Sequence, residues 1–138
     1  MLDEHLAKMT LLAYEALENA YSPYSTYKVG CCIYTVDGQY FNGCNIENAS
    51  YGLTLCAEAS SIASMITAGS ELIKEVVIVN HLETACFPCG GCRQRILEHA
   101  ADHNVLIHLC NRENLLQSLT LEALLPHSFC AKTMEKNL

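Results

Sequence analysis

The sequence predicts a three-layer α/β/α sandwich, in which helices cover both faces of a five-stranded mixed sheet. Segments with the apolar spacing of amphipathic helices alternate along the whole chain with short segments rich in β-branched residues. No linker, repeat or low-complexity stretch interrupts this alternation. Residues 1–138 are therefore expected to form a single domain.

The N-terminal third predicts a helix followed by a β-hairpin. Apolar residues recur at steps of three and four over residues 2–20, and Pro23 follows, which predicts the first helix. Residues 28–36 are rich in β-branched and aromatic side chains and predict the first strand. Asp37-Gly38 is a strong signal for a two-residue turn, so residues 39–44 are expected to return as the second strand.

The middle of the chain predicts two further helix–strand pairs. Residues 57–68 have a helical pattern, with Gly69 placed to end the helix. Residues 75–80 form a short apolar run that is typical of a buried third strand. Residues 90–101 predict the third helix, and residues 105–110 predict the fourth strand.

The C-terminal part predicts one more strand and a short helix. Residues 111–114 are polar and read as a turn, and residues 115–119 predict the fifth strand. Thr120 can cap a helix over residues 121–125, which Pro126 ends. Because the fourth and fifth strands are too close in sequence for a helical crossover, we expect them to be antiparallel neighbours.

Composition excludes several classes of protein. The chain is 51% hydrophobic and 17% charged, which fits a globular protein. Its apolar runs are too short to span a membrane, and its acidic start, residues 1–4, lacks the basic residues of a signal peptide. We therefore expect a cytoplasmic protein with no membrane partner.

The charge of the chain argues against a nucleic-acid partner. The net charge is −7, and the eight lysines and arginines are scattered rather than clustered. Proteins that bind phosphate backbones usually present a basic patch. A small-molecule substrate remains compatible with this charge.

The chain contains nine cysteines, an odd number without a secretion signal, so a disulfide framework is not expected. Three of them lie in apolar runs and are expected to be small buried residues, namely Cys31, Cys32 and Cys110. Three others are expected to have no role in the chemistry: Cys44, Cys86 and Cys130. Cys86 nevertheless lies three residues before Cys89, so it could compete for a metal ion.

The remaining cysteines form two short motifs, Cys56-Ala57-Glu58 and Pro88-Cys89-Gly90-Gly91-Cys92. Cys56, Cys89 and Cys92 offer three soft ligands, which leave one position of a tetrahedral zinc ion open, as in catalytic sites. Both motifs precede predicted helices, whose free amides favour thiolates. Glu58 can exchange protons with a water activated by the metal. The sequence thus predicts one catalytic Zn²⁺ per chain.

A structural zinc site is the alternative. Structural sites usually have four ligands, often from two Cys-x-x-Cys motifs, and this chain has only one such motif. A fourth ligand from Cys86 or from one of the six histidines remains open at this point.

Around these motifs the chain resembles the small cytidine deaminases that act on free nucleosides. The resemblance covers nearly the whole length and rests on the order and spacing of several segments. These are Pro23-Tyr24-Ser25, Val29-Gly30, the run from Gly43 to Ala49, Cys56-Ala57-Glu58, the run from Pro88 to Gln94, and Leu124-Leu125-Pro126. It implies a cytidine deaminase-like fold.

The resemblance also implies a reaction, the hydrolytic deamination of cytidine and 2'-deoxycytidine to uridine and 2'-deoxyuridine, with release of ammonia, as in pyrimidine salvage. Cys56, Cys89 and Cys92 match the zinc ligands of the family. In the family's mechanism a hydroxide held by zinc attacks C4 of the base. Glu58 matches the residue that protonates N3 and then the leaving amine.

Residues that contact the substrate follow from the same resemblance. Asn45 and Glu47 match residues that form hydrogen bonds with the ribose hydroxyls. Tyr27 takes the place of an aromatic residue beside the base, usually phenylalanine, and its hydroxyl therefore needs a partner. Tyr51 and Ala57 lie in the remaining substrate-binding segments.

A further aromatic residue, Phe129, matches one that reaches the site of a neighbouring subunit and stacks on the base. That aromatic residue is found in the homotetrameric branch of the family. This sequence shares the short chain and the three-cysteine zinc site of that branch. The resemblance thus implies a homotetramer.

The chain departs from the family pattern at Ala59. The homotetrameric branch usually has an arginine there, which forms hydrogen bonds with the thiolates and offsets the formal charge of −1 on a zinc ion with three thiolates. We hypothesise that helix amides together with one hydroxyl, from Ser60 or Ser61, take over this role. Arg93 is a further candidate.

This departure keeps one other function open, and a second alternative comes from another class of protein. Deaminases of aminonucleoside antibiotics, the blasticidin type, share the three-cysteine site without that arginine, although the run Asn45-Ile46-Glu47-Asn48 favours cytidine. A catalytically silent zinc-binding module is the other, and Glu58 argues against it.

Overall fold

A computed structural model describes residues 1–134, apart from the side chain of Thr133. Its centre is a sheet of five strands: β1 (Val29–Thr35), β2 (Tyr40–Cys44), β3 (Ile73–Asn80), β4 (Leu106–Cys110) and β5 (Leu115–Thr120). They are ordered β2-β1-β3-β4-β5, with β3 and β4 parallel and the other neighbours antiparallel. The predicted mixed sheet and the antiparallel pairing of the last two strands are confirmed.

The helices are α1 (Glu4–Glu18), α2 (Ala57–Thr67), α3 (Gly90–His99), α4 (Leu121–Leu124) and α5 (Ala131–Met134), with a 3₁₀ turn at Tyr51–Leu53. The start of α1 is fixed by Asp3, whose carboxylate accepts a hydrogen bond from the amide of Leu6 at 2.8 Å. Neither α5 nor the 3₁₀ turn is anticipated by the sequence pattern. Within residues 1–134, none of the helices is long and apolar enough to cross a membrane.

Two apolar layers hold the helices against the sheet. On one face α1 packs over a cluster that includes Met9, Cys32 and Val77. On the other face, Ile62 of α2 and Ile96 of α3 belong to a larger cluster. Successive strand residues alternate between the layers, as the pleat requires. Cys31, Cys32 and Cys110 are fully buried in these layers, as expected.

Two glycines allow the helices to approach the hairpin closely. A Cβ on Gly30 would lie 2.0 Å from the carbonyl oxygen of Ala13 in α1, and a Cβ on Gly43 would lie 2.6 Å from the amide nitrogen of Ser61 in α2. Both of these atoms belong to helix backbone, so neither clash could be relieved without moving the helix. The contact at Gly43 fixes the position of α2, which begins at the Cys56-Ala57-Glu58 motif.

Candidate metal and substrate site

The three predicted zinc ligands come together at two helix starts. Cys56 is the N-cap residue of α2, Cys89 is the N-cap residue of α3, and Cys92 lies in the first turn of α3. Their sulfur atoms all lie within 4.8 Å of one another, and the sulfurs of Cys56 and Cys89 are 3.9 Å apart. A tetrahedral zinc ion with Zn–S bonds of about 2.3 Å requires sulfurs about 3.8 Å apart. The donor set and its spacing therefore fit zinc.

The sulfurs also interact with one another. The pKa of Cys56 is lowered to about 6, first because the Cys92 thiol donates a hydrogen bond to it, then through Cys89 and the positive charge of Arg95, while burial opposes the shift. The same hydrogen bond raises the pKa of Cys92, together with its burial. Cys56 therefore reaches the thiolate form, which a metal ion needs, more readily than Cys92 does.

No fourth ligand accompanies these three sulfurs within the described part of the chain. Cys86, the expected competitor, instead accepts a weak hydrogen bond from the Tyr27 hydroxyl at 3.5 Å. Burial raises the pKa of its thiol, which favours the neutral form. The arrangement is that of an open zinc site rather than of a closed structural one.

Glu58 lies in the first turn of α2 and is 4% exposed. Burial raises the pKa of its carboxyl to about 7, and the charge of Cys56 acts in the same direction, while its own backbone, the Cys92 thiol and Arg95 lower it. A group that titrates near neutrality can both accept and donate a proton. The structure thus places a buried carboxyl group with a pKa near neutrality beside the three sulfurs.

Asn45 is buried, and its side chain binds the backbone of the segment that leads into β1, residues 27–29. The oxygen Oδ1 accepts a hydrogen bond from the amide of Val29 at 2.9 Å, and Nδ2 donates to the carbonyl of Tyr27 at 2.8 Å. An asparagine amide has two N–H donors and two acceptor lone pairs, so one of each remains for a ligand. This structural role was not anticipated from the sequence.

Glu47 closes the turn that precedes β1. Its Oε1 accepts hydrogen bonds from the amides of Tyr24 and Ser25 at 3.0 and 3.1 Å, and its Oε2 accepts one from the Ser25 hydroxyl. The Ser25 hydroxyl is the main cause that lowers the pKa of the Glu47 carboxyl, so the side chain is an anion held in one orientation.

Glu47 shares a cleft of about 350 Å³ with Tyr51. The other residues that line it are Tyr24, Ser25, Asn48 and Thr54. The zinc ligands and Glu58 are not among the lining residues, so the cleft and the sulfur cluster are separate features of the single chain.

Backbone contacts nevertheless hold the Asn45 segment against the start of α2. Ile46 and Leu55 exchange two hydrogen bonds of 2.9 Å, and the Ser60 hydroxyl donates to the carbonyl of Cys44 at 2.8 Å. Because Leu55 directly precedes Cys56, this pairing fixes the position of Asn45 relative to the metal ligands.

The hydroxyl of Tyr27 has the partner that its position requires. Nδ2 of Asn80 donates a hydrogen bond to it at 2.8 Å, and the ring meets the His81 imidazole edge-on with centroids 5.5 Å apart. Asn80 is fully buried at the end of β3 and also bonds with Thr84. Sequence reasoning missed Asn80, although a polar residue that ends an apolar strand is a usable signal.

The remaining candidates lie at different depths. Ala57 is fully buried, whereas the side chains of Tyr51 and Phe129 are 78% and 60% exposed. The carbonyl of Phe129 accepts a hydrogen bond from the Gln94 side chain at 2.8 Å, which attaches the C-terminal segment to α3.

The hypothesis that a serine hydroxyl stabilises the thiolates is wrong. The Ser60 hydroxyl donates to the backbone carbonyl of Cys44, and the Ser61 hydroxyl donates to the carbonyls of Cys31 and Ala57. Arg93 uses Nε and Nη1 to bind the carbonyls of Pro88 and Leu124. These donors are engaged by backbone oxygens rather than by sulfur.

Comparisons with known proteins find similar sequences and a similar fold. Residues 3–119 match the family model of the cytidine and deoxycytidylate deaminase zinc-binding region. The chain is 36% identical over 122 residues to the cytidine deaminase of Halalkalibacterium halodurans, covering 88% of this chain and 92% of that protein. The crystal structure of cytidine deaminase from Burkholderia pseudomallei is similar with a TM-score of 0.82 and 35% identity, covering 93% of this chain and all of that one.

The chain is also similar to a deaminase of the blasticidin type. The blasticidin-S deaminase of Bacillus cereus is 32% identical over 106 residues, covering 71% of this chain and 74% of that protein. Both its identity and its coverage are lower than those of the Halalkalibacterium protein.

Proposed function

The chain belongs to the cytidine and deoxycytidylate deaminase family, and from this we propose that it converts cytidine and 2'-deoxycytidine to the uridines with release of ammonia. The observation that carries the proposal is the meeting of three sulfurs at tetrahedral spacing with a buried carboxyl group. Zinc bound by Cys56, Cys89 and Cys92 would act as the Lewis acid that activates the attacking water. Further parts of the proposal are a cytoplasmic location and a role in pyrimidine salvage.

Glu58 moves the protons in this reaction. It accepts one from the attacking water and delivers it to N3 of the base while the new bond to C4 forms. It then transfers the second proton of that water to the amino group, which leaves as ammonia, and ends in its starting state. Burial supports this cycle because it holds the carboxyl near the pKa at which both transfers are feasible.

Asn45 and Glu47 bind the sugar in this proposal. The free N–H and lone pair of Asn45, and the remaining acceptor capacity of Glu47, are suited to ribose hydroxyls. Both side chains are already fixed by backbone amides, so little conformational entropy is lost when substrate binds. Tyr27, Tyr51 and Ala57 complete the substrate surface of this subunit.

Spectrophotometry of the zinc-loaded protein tests the function. We expect loss of the cytosine absorbance with cytidine and with 2'-deoxycytidine, and a much slower reaction with free cytosine, which lacks the sugar. Faster turnover of blasticidin S than of cytidine would assign the chain to the antibiotic-deaminating type. One zinc per chain without turnover of any of these compounds would identify a silent zinc-binding module.

We also propose that the enzyme is a homotetramer in which Phe129 enters the site of a neighbouring subunit. Its exposed side chain supports this, because a large apolar group that is 60% exposed is available to another chain. A site would then combine Glu58 of one subunit with Phe129 of the next.

Subunit complementation checks this arrangement. Phe129→Ala and Glu58→Gln are each expected to lower activity strongly when produced alone. In mixed tetramers made by co-expression, some sites combine an intact Glu58 with an intact Phe129, so activity should exceed that of either variant. If Phe129 acted within its own subunit, no site would regain both residues and mixing would restore nothing. Sedimentation of the wild type measures the tetramer directly.

A further inference from the structure

We propose that Arg95 supplies the positive charge that stabilises the three-thiolate zinc site of this chain. This inference rests on the proposed function, because it assumes that Cys56, Cys89 and Cys92 bind the zinc. It assigns an electrostatic task in the site to a residue that the sequence motifs do not mark.

The charge of the site creates the need. Three thiolates on one Zn²⁺ leave a formal charge of −1, and Glu58 adds a second negative charge whenever it is ionised. The helix starts at Cys56 and Cys89 contribute partial positive charge, equivalent to roughly half a unit each. A full positive charge nearby stabilises the three thiolates that hold the metal, and so strengthens zinc binding. It also reduces the repulsion between these thiolates and an ionised Glu58.

The position of Arg95 meets this need. Its Nη1 lies 3.3 Å from the point that a Cβ on Gly91 would occupy, and the sulfur of Cys89 lies 3.9 Å from the same point. The guanidinium nitrogen and the sulfur are therefore no more than about 7 Å apart, across Gly91. The absence of a side chain at Gly91 leaves room for both groups.

Helix geometry explains how Arg95 reaches the sulfurs. It follows Gly91 by four residues in α3, so the two positions share one face of the helix. Side chains on a helix lean towards its N-terminus, and an arginine is long enough to cover one turn.

Three other cations of the described chain, Lys8, Arg93 and Arg112, are engaged elsewhere. Arg112 lies over the ring of Tyr14, 4.1 Å from its centroid, and Lys8 lies over the ring of Tyr40 at 4.1 Å. Arg93 binds backbone carbonyls through Nε and Nη1. Position 59, beside the catalytic glutamate, holds an alanine without charge.

Zinc affinity of Arg95→Met tests the inference. Competition with a chelator at low salt should show roughly 10-fold weaker zinc binding than in the wild type, the usual scale for residues that support metal ligands. Arg95→Lys keeps the charge and should retain most of the affinity. Arg112→Met removes an arginine on the other face of the sheet and should bind zinc as the wild type does. Circular dichroism confirms that each variant is folded.

Salt dependence separates an electrostatic role from a structural one. Because Arg95 is exposed, the difference between wild type and Arg95→Met should shrink at about 1 M salt, where the screening length falls to about 3 Å. Ala59→Arg in the Arg95→Met background should restore affinity, since it returns a positive charge to the site from α2.

Two results would overturn the proposal. One is equal zinc affinity of the wild type and Arg95→Met at low salt. The other is a loss of zinc affinity that persists at high salt, that Arg95→Lys shows as well, and that Ala59→Arg does not reverse. Such a loss would come from altered packing rather than from the missing charge. Failure of the proposed function is seen separately, as zinc-loaded wild type that turns over no cytosine nucleoside, because zinc affinity is measured without substrate.

Discussion

Glu58→Gln is expected to lower turnover of cytidine by roughly 10²- to 10⁴-fold while leaving one zinc ion bound per chain. Glutamine has the same shape and can fill the buried position at the start of α2, but it cannot carry a proton from the attacking water to N3 or to the leaving amine. The sulfurs of Cys56, Cys89 and Cys92 form the metal site without this carboxyl group. Activity and metal binding should therefore separate.

Steady-state kinetics together with zinc analysis of the purified variant give this measurement. Glu15→Gln is the matched control, since Glu15 lies exposed on α1 and its replacement removes the same charge far from the sulfurs. It should retain wild-type turnover and zinc. Near-normal turnover in Glu58→Gln would remove Glu58 from the reaction, and loss of zinc would show that the carboxyl group supports the metal site instead.

The fold could be predicted from the sequence because its signals are local. The hairpin between β1 and β2 forms where Asp37-Gly38 predicts it, but its loop has three residues, 36–38, rather than the expected two, because Tyr34 pairs with Tyr40 and the Thr35 amide donates to the carbonyl of Gln39. Gly38 ends the loop with φ of +82°, a conformation that glycine adopts without strain. Strands β4 and β5 are antiparallel because the turn between them is too short for anything else. The 3₁₀ turn at Tyr51–Leu53 and helix α5 were missed, since elements of three or four residues show no periodicity.

The site could be predicted only in part. The cysteine motifs predict a cluster of Cys56, Cys89 and Cys92, because metal chemistry restricts both residue type and spacing, and the structure brings the three sulfurs together. The hydrogen bond from Asn80 to Tyr27 joins residues 53 positions apart, and no local pattern records it. Arg95 lies in α3, as Cys92 does, but its proposed role depends on the empty space over Gly91 and on the position of Cys89.

Cys92→Ser should abolish stoichiometric zinc binding and, with it, deamination. Cys92 is fully buried in the first turn of α3, and serine is its closest replacement in shape, so the helix should keep its place in the core. A hydroxyl is a poor ligand for zinc compared with a thiolate, and two sulfurs hold the ion far less tightly than three. Metal analysis after dialysis, with turnover measured in parallel, gives the readout.

Cys86→Ser is the matched control, and it decides between an open and a closed metal site. The Cys86 sulfur is bound to the Tyr27 hydroxyl and lies outside the sulfur cluster, so this variant should keep one zinc ion per chain and most of its activity. Loss of zinc from Cys86→Ser would make Cys86 a fourth ligand and leave no open position for a reacting water. Since zinc also stabilises the chain that it binds, added zinc should raise the melting temperature of wild type and Cys86→Ser but not that of Cys92→Ser.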